Sequence, residues 1–271
     1  MQKGEIMKKS VILLAAAGFL AVFLPGCSKN HNNLMINNGV LTVGININYP
    51  PMEYYAEDGI TPIGFDVSLG KALAHEMGLD VKFEDTAWEF VFSSLNLKKF
   101  DCVISSVTIT EERRKMQNFS GPYIKNALVL VTPKNSKYEI SSPSQLEGLG
   151  VAYQEKTTAD DYMKNLSMNG LKFTPYEYGK MTNCFDDLRL GRVDAVLTDL
   201  VVAHHYLAGY DKMAIVWQGE EEFFGICMKK GDDALTNAIN KSLEKLFYDG
   251  KMADISKEIF NGTDLVTTAF K

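Results

Sequence analysis

The sequence predicts an α/β fold assembled from strand–helix–strand crossover units. From Gly39 onward, short apolar runs of strand length alternate with segments in which apolar residues recur at helical spacing. The same alternation starts a second time after Pro133. A chain of 271 residues, 46% of them hydrophobic, can bury a large core in one domain or in two lobes. Together these observations predict helices packed on sheets whose strands they connect.

The first cycle contains three strands and two helices, followed by a short third helix. Apolar residues of the first helix lie on one face, and Gly78 follows them where a helix C′ residue belongs. The acidic start of the third helix suits the helix dipole. The predicted elements are a strand over 40–46, a helix over 65–77, a strand over 81–85, a helix marked by Trp88, Phe92 and Leu95, a strand over 102–106 and a helix over 111–116.

The second cycle repeats this order. Thr157 or Thr158 is a predicted N-cap, because a threonine hydroxyl can accept from an unpaired N–H in the first turn of a helix. A strand over 149–153, a helix over 159–169, a strand over 172–176, a helix over 183–190 and a strand over 195–199 are predicted. After a run over 223–228, two helices close the chain, and we expect them to pack on the first cycle because no strands accompany them.

Composition excludes several classes of function. The net charge of −6 has the wrong sign for a protein that neutralises nucleic-acid phosphates. No glycine-rich phosphate loop and no Cys or His spacing typical of a metal site occurs, so no cofactor and no metal are expected. His204 and His205 are adjacent, so they point about 100° apart on a helix and cannot share one ion. Buried, unreactive side chains are predicted for Cys102 and Cys227, whereas Cys184 opens a predicted helix and is expected to be more exposed.

The N-terminus is predicted to be a signal peptide over residues 1–26. Lys8 and Lys9 precede an apolar run that is too short to span a bilayer as a helix. The run ends at Leu24-Pro25-Gly26-Cys27, which resembles a lipobox, so Cys27 is the expected lipidation site, although Pro25 departs from the small residue usual there. The alternative is a plain signal peptide. Residues 27–38 are predicted to form a flexible tether, which would anchor the protein to the outer face of the cell membrane.

Six blocks of residues, in this order, resemble those of the amino-acid-binding proteins of bacterial ABC importers. They are 49–54 (YPPMEY), 64–67 (GFDV), 101–110 with Arg113, 119–123 (FSGPY), 157–158 (TT) and 191–199 (GRVDAVLTD). The resemblance implies a periplasmic-binding-protein type II fold, in which two α/β lobes joined by two hinge strands hold the ligand in the cleft between them. The implied boundaries are 39–129 and 225–271 for lobe 1 and 130–224 for lobe 2. The hinge strands are expected near 128–132 and 223–227.

An amino acid buried in such a cleft brings one charge of each sign out of water, and each needs an opposite charge. Arg113 is the candidate for the α-carboxylate, because a guanidinium binds a carboxylate in bidentate fashion. The alternative places Arg113 on a solvated helix face. Asp199 ends a strand where the next helix starts, and it is the candidate for the α-ammonium. The alternative role of Asp199 is an N-cap, and the two roles are compatible.

The remaining candidate site residues surround these two charges. Ser105, Ser106 and Thr108 follow the strand over 102–106, and the hydroxyls of Ser106 and Thr108 face the same way if the chain stays extended. Thr157 and Thr158 open a helix whose unpaired N–H groups favour a carboxylate.

By the resemblance, Tyr49 and Trp88 hold the ligand side chain between two rings. The alternative for Trp88 is core packing. Asn46 takes a position that often carries an acid in binders of basic amino acids, which favours a polar, uncharged ligand such as glutamine or cystine.

The predicted function is capture of an L-amino acid by closure of the lobes and its delivery to the permease subunits of an ABC importer, without catalysis. Two alternatives stay open. One is an enzyme, because the same fold serves extracytoplasmic dehydratases, which need a general acid or base facing the ligand. Glu53 and Glu89 lie near the expected cleft, but both are predicted to be solvated, which disfavours this role. The chain could also be a ligand-sensing partner of a signalling receptor.

Overall fold

A computed structural model describes residues 34–267 of the chain. The predicted signal peptide and Cys27 lie outside the described residues. The first part of the fold comprises β1 (Val40–Ile45), β2 (Tyr54–Tyr55), β3 (Pro62–Ile63), α1 (Phe65–Met77), β4 (Asp80–Asp85), α2 (Val91–Asn96), β5 (Cys102–Val103), α3 (Glu111–Met116) and β6 (Gln117–Pro133). The second part comprises β7 (Gly150–Gln154), α4 (Thr158–Met168), β8 (Thr174–Tyr178), α5 (Met181–Arg189), β9 (Ala195–Asp199), α6 (Leu200–Gly209), β10 (Met213–Lys229), α7 (Asp233–Tyr248) and α8 (Lys251–Ile259).

Eight strands form one continuous sheet in the order β4-β1-β5-β10-β6-β9-β7-β8. At one end β1 pairs in parallel with β4 and β5, and at the other β7 pairs in parallel with β8 and β9. The long strands β6 and β10, 17 residues each, pair antiparallel with one another and run through both halves. The predicted α/β fold with two lobes and two connecting strands is confirmed, and both expected hinge segments lie within β6 and β10.

Helix ends follow the local signals read from the sequence. Helix α1 ends at Gly78, which adopts the left-handed conformation with φ +70°. Helix α4 begins after Thr157, whose side chain accepts a hydrogen bond from the backbone N–H of Asp160 at 3.3 Å. Helices α7 and α8 pack on α1, so the C-terminal helices return to the first lobe as predicted.

Several element ends differ from the prediction by one or two residues, and the run over 223–228 is part of the longer strand β10. Three further predictions differ in substance. Strand β5 ends at Val103 rather than at 106, because Ser106 turns into the left-handed region (φ +51°) and its N–H donates to Asp66 at 2.6 Å. Cys184 is fully buried inside α5. Residues 34–38, which the sequence assigned to the tether, pack on the first lobe: Met35 is buried, and the N–H of Ile36 donates to the Asp101 carboxylate at 2.7 Å.

A close backbone approach at Gly64 positions the loop over 49–53. Gly64 has φ +119°, and a Cβ at this position would lie 2.3 Å from the carbonyl oxygen of Met52. The first two residues of α1, Phe65 and Asp66, donate backbone hydrogen bonds to Pro51 and Met52 at 3.1 and 2.9 Å. Only glycine allows this contact, which holds the loop carrying Tyr49 and Glu53 against α1.

Two classes of feature are missing from the described part of the chain. Within residues 34–267, no helix combines the length and apolar character needed to cross a bilayer. In the same range, no cluster of three or more His, Cys, Asp or Glu side chains is arranged to hold a metal ion.

Candidate ligand-binding site

A cavity lies between the two lobes and encloses about 340 Å³ of space, including its mouth. All ten residues predicted to bind the ligand line it, together with Glu53 and Gln154, which the sequence did not single out as ligand contacts. The full lining is Asn46, Tyr49, Glu53, Trp88, Ser105, Ser106, Thr108, Arg113, Gln154, Thr157, Thr158 and Asp199.

Arg113 provides the positive charge of the cavity. The hydroxyl of Thr110 caps α3 by accepting from the backbone N–H of Arg113 at 3.1 Å. The guanidinium donates from Nη1 to the carbonyl of Thr108 at 3.0 Å, and it lies over the rings of Trp88 and Phe92 at 5.7 and 5.4 Å. Burial lowers the pKa of Arg113, but an arginine remains charged at any physiological pH. The solvated-face alternative therefore describes Arg114, which is exposed, and not Arg113.

Asp199 provides a negative charge from the other lobe. It ends β9 and occupies the N-cap position of α6, yet its side chain makes no capping hydrogen bond. Instead its two oxygens accept from the Tyr49 hydroxyl at 2.5 Å and from the Asn126 amide at 2.6 Å. Burial raises the pKa of Asp199 to about 6, while the bonds from Tyr49 and Asn126 partly oppose that rise. Asp199 is thus ionised at pH 7.

Trp88 and Asn46 combine cavity and structural roles. Trp88 packs with Val91 and Leu95 in a buried cluster, as the core-packing alternative expects, and it also lines the cavity. Its indole N–H donates to the carbonyl of Lys156 in the opposite lobe at 3.1 Å. The amide of Asn46 donates to the carbonyl of Thr86 at 3.0 Å, which holds this uncharged side chain at the cavity wall.

Ser105 and Ser106 form hydrogen bonds with a buried pair of carboxyl groups, Glu53 and Asp66, which the sequence did not predict. Glu53, expected to be solvated, is only 1% exposed and accepts from the Ser105 hydroxyl at 2.7 Å. Burial raises the pKa of Glu53 well above its usual value, and the neighbouring charge of Asp66 adds to that rise. Asp66 accepts from the Ser106 N–H at 2.6 Å and from the Tyr123 hydroxyl at 3.0 Å.

Two buried carboxyl groups in contact do not both ionise, so this pair holds a proton. Burial raises the pKa of Asp66 to about 6, whereas the hydrogen bonds that it accepts favour its charged form. Because Glu53 and Asp66 share a hydrogen bond and the other bonds that Asp66 accepts favour its charged form, we assign the proton to Glu53. The raised pKa of Glu53 therefore favours an uncharged polar group in the cavity wall.

The start of α4 closes the cavity from the second lobe. The Thr157 hydroxyl donates to the carbonyl of Gln154 at 2.7 Å, and this fixes the turn that leads into the helix. The Thr158 hydroxyl donates to the carboxylate of Glu222 on β10 at 3.2 Å. Gln154 is held in place by its own amide, which donates to the carbonyl of Gly179 at 3.1 Å.

The lobes are closed over the cavity. Tyr49 and Trp88 of the first lobe bond to Asp199 and Lys156 of the second, as described above. The Nη2 atom of Arg113 lies 3.5 Å from the carbonyl of Lys156, and the Lys156 ammonium lies 3.5 Å from the Glu89 carboxylate. Each of these contacts joins one lobe to the other, so each would break if the lobes separated.

The sequence model of the bacterial extracellular solute-binding proteins, family 3, matches residues 41–262. The chain belongs to this family. The match takes in both lobes, both crossing strands and every residue that lines the cavity.

Three proteins illustrate what this chain is similar to in sequence and structure. The L-cystine-binding protein TcyJ of Escherichia coli (strain K12) is 28% identical over 235 residues, which cover 86% of each chain. The solved structure of an ancestral arginine-binding protein bound to arginine matches with a TM-score of 0.78 and 33% identity, over 82% of this chain and 99% of that one. The ancestral amino acid-binding protein AncCDT-1, a precursor of cyclohexadienyl dehydratase, matches with a TM-score of 0.76 and 32% identity, over 82% and 96%.

Proposed function

We propose that this solute-binding protein captures an L-amino acid between its lobes and delivers it to the permease of an ABC importer. One observation carries the proposal: a guanidinium from one lobe and a carboxylate from the other line the same closed cavity. Arg113 would take the α-carboxylate, and Asp199 would take the α-ammonium. A zwitterion that contacts both lobes at once favours the closed form and so drives hinge closure.

The cavity lining favours a ligand whose side chain is polar and uncharged. Arg113 and ionised Asp199 balance the two charges of the zwitterion. Among the other lining residues, Asn46 and Gln154 carry uncharged amides, and burial raises the pKa of Glu53 and so favours its uncharged form. A ligand side chain with a net charge would find no counterion among these lining residues, which is costly in a buried site. We therefore propose glutamine, or cystine, whose second half carries an ammonium and a carboxylate of zero net charge, ahead of arginine.

The same proposal places the protein outside the cytoplasm, as is typical of its extracellular family. Acylation of Cys27 would tether it to the outer face of the cell membrane, next to the permease. Labelling with a radioactive fatty acid tests this anchor: the wild type should incorporate the label, and Cys27→Ser should not.

A panel of the twenty amino acids and cystine in a thermal-shift assay tests the binding function. A ligand at 100 times its Kd adds about 2.7 kcal/mol to the free energy of unfolding. Arg113→Ala should weaken binding at least about 30-fold, because the buried carboxylate of the ligand loses its partner. Arg114→Ala is the matched control, since that neighbour is exposed, and it should bind like the wild type. A flat response to the whole panel, or equal effects of both substitutions, would contradict the proposal.

Catalysis is a second candidate because Glu53 has the raised pKa that a general acid needs. The Glu53 carboxyl, however, forms hydrogen bonds with Ser105, Ser106 and Asp66. These bonds give it a structural role in the cavity wall, which disfavours a role in proton transfer. The matching structure AncCDT-1 is itself an amino acid-binding protein by its description. Incubation with cyclic carboxylic acids followed by chromatography tests the enzyme; turnover that Glu53→Gln abolishes would favour it over capture alone.

A further inference from the structure

Glu222 lies on β10, one of the two crossing strands, opposite Asn126 of β6. Its neighbour Glu221 is exposed and forms an ion pair with Lys125. Because side chains alternate along a strand, Glu222 points the other way, toward the cleft, and it is half-buried. Neither the motifs of the sequence nor the proposed binding scheme uses this residue.

The Glu222 carboxylate engages two hydroxyl groups, those of Thr158 and Thr108, that could otherwise donate to the ligand carboxylate. Its Oε2 accepts from the Thr158 hydroxyl at 3.2 Å and lies 3.5 Å from the Thr108 hydroxyl, at the outer limit of a hydrogen bond. These two threonines line the cavity, one from each lobe, beside Arg113. A ligand carboxylate that binds Arg113 and these hydroxyls would meet a second carboxyl group at the same place.

The charges that face Glu222 from the surrounding elements are those of Asp199 at the end of β9 and Arg113 on α3. Burial raises the pKa of Glu222 to about 7, and repulsion by Asp199 adds to the rise. Three groups oppose the rise by favouring the charged form: the hydroxyl of Thr158, the charge of Arg113 and the hydroxyl of Thr108. From β6, the facing residue Asn126 is uncharged, and the Lys125 ammonium is engaged with Glu221.

We propose that Glu222 is a binding-site residue that competes with the ligand carboxylate for the hydroxyls of Thr108 and Thr158, so that capture requires Glu222 to be protonated or displaced. This inference rests on the proposed amino-acid binding. A protonated Glu222 carries no charge and can donate its own hydrogen to the incoming carboxylate. Above pH 7, binding would therefore be accompanied by uptake of up to one proton from solvent, and affinity would fall as pH rises.

Isothermal titration with L-cystine, L-glutamine and L-arginine, each at pH 6.5 and pH 8.5, tests the inference. For the amino acid that binds, the wild-type Kd should increase about 25-fold between these pH values, since the protonated form falls from the majority to a few per cent. Titration in two buffers of different ionisation enthalpy should show proton uptake at pH 8.5. Glu222→Gln should bind more tightly than the wild type at pH 8.5, with little pH dependence and no proton uptake.

Glu221→Gln is the matched control, one position away on the same strand, and it should follow the wild type. If Glu222→Gln weakens binding, or leaves the pH profile and the proton count unchanged, Glu222 does not compete with the ligand. If the wild type binds none of these amino acids, nor any other in the thermal-shift panel, the proposed function fails, and the inference that rests on it fails too. Thermal unfolding of both variants shows whether each is folded.

Discussion

Replacing Asp199 with asparagine should make the ligand-free protein more stable while it abolishes capture. In the structure the Asp199 carboxylate is 7% exposed and accepts only two hydrogen bonds, from Tyr49 and Asn126. Burial raises its pKa from an ordinary 3.8 to about 6. A buried charge of this kind costs stability, and under the proposed function that charge is the partner of the ligand ammonium.

The magnitude follows from the pKa. The folded protein binds a proton at Asp199 more tightly than the unfolded chain does, so this contribution to stability is complete below pH 3.8 and is lost as pH rises through about 6. The difference between the two pKa values corresponds to about 3 kcal/mol. At pH 8, where Asp199 is ionised, the charge therefore costs the fold up to about 3 kcal/mol, an upper bound since local relaxation reduces it.

Asparagine removes the charge without changing the shape of the side chain. Its amide nitrogen would face Asn126, whose buried Oδ1 has no hydrogen-bond partner, so a rotation of the Asn126 amide would turn that oxygen toward the new amide nitrogen. We expect Asp199→Asn to be more stable than the wild type at pH 8 by up to about 3 kcal/mol, with little difference at pH 4. Affinity for the amino acid should fall at least about 30-fold, since the ammonium loses its counterion.

Urea denaturation at pH 4 and pH 8, together with calorimetric titration of the amino acid, measures both effects. Asp211→Asn is the control, because that carboxylate is exposed in the loop before β10, and neither stability nor affinity should change by more than about 0.5 kcal/mol. The reasoning is refuted if Asp199→Asn shows no gain in stability at pH 8, or if it binds the ligand as tightly as the wild type.

Two further substitutions test closure and the loop over 49–53. Lys156→Met removes the ion pair with Glu89 between the lobes, so at low salt the variant should bind about twofold to fivefold more weakly than the wild type. At 0.5 M NaCl the wild-type pair is screened and the difference should disappear, whereas exposed Lys98→Met should match the wild type at both salt concentrations. A difference that persists at 0.5 M NaCl would contradict this. Gly64→Ala places a Cβ 2.3 Å from the carbonyl oxygen of Met52 and should lower the free energy of unfolding by more than about 3 kcal/mol. Gly39→Ala is the control, because Gly39 has a left-handed φ but open space around it, and it should lower that free energy by about 1–2 kcal/mol. Equal losses in urea denaturation would show that the contact with Met52 does not limit stability.

Much of the fold follows from local patterns in the sequence. The helix over 65–77 was predicted at its observed bounds, because its apolar face and Gly78 are signals carried within a few residues. The strand over 102–106 was predicted too long. Its second half turns at Ser106, whose N–H bonds to Asp66, a residue 40 positions earlier in the chain. No periodicity within the strand can reveal a partner so distant.

The candidate site divides in the same way. The types and spacing of ten lining residues were readable in the sequence, chiefly through a family resemblance, and the chain brings them together around one cavity. Glu53 was expected to be solvated because carboxylates usually are, and only its contacts with Ser105 and Asp66 make burial possible. Glu222 lies in a run of three acidic residues that resembles a solvated strand, and nothing local distinguishes it from Glu221.

The sequence by itself therefore determined the α/β class, most element boundaries and the residues that carry charge into the cleft, since helix and strand signals depend on neighbours in the chain. The tertiary structure alone decided which carboxyl groups are buried and therefore have raised pKa values. A pKa depends on distance to other charges and to water, and these distances are set by contacts between distant segments, such as those joining Asp199 to Tyr49 and Glu53 to Asp66.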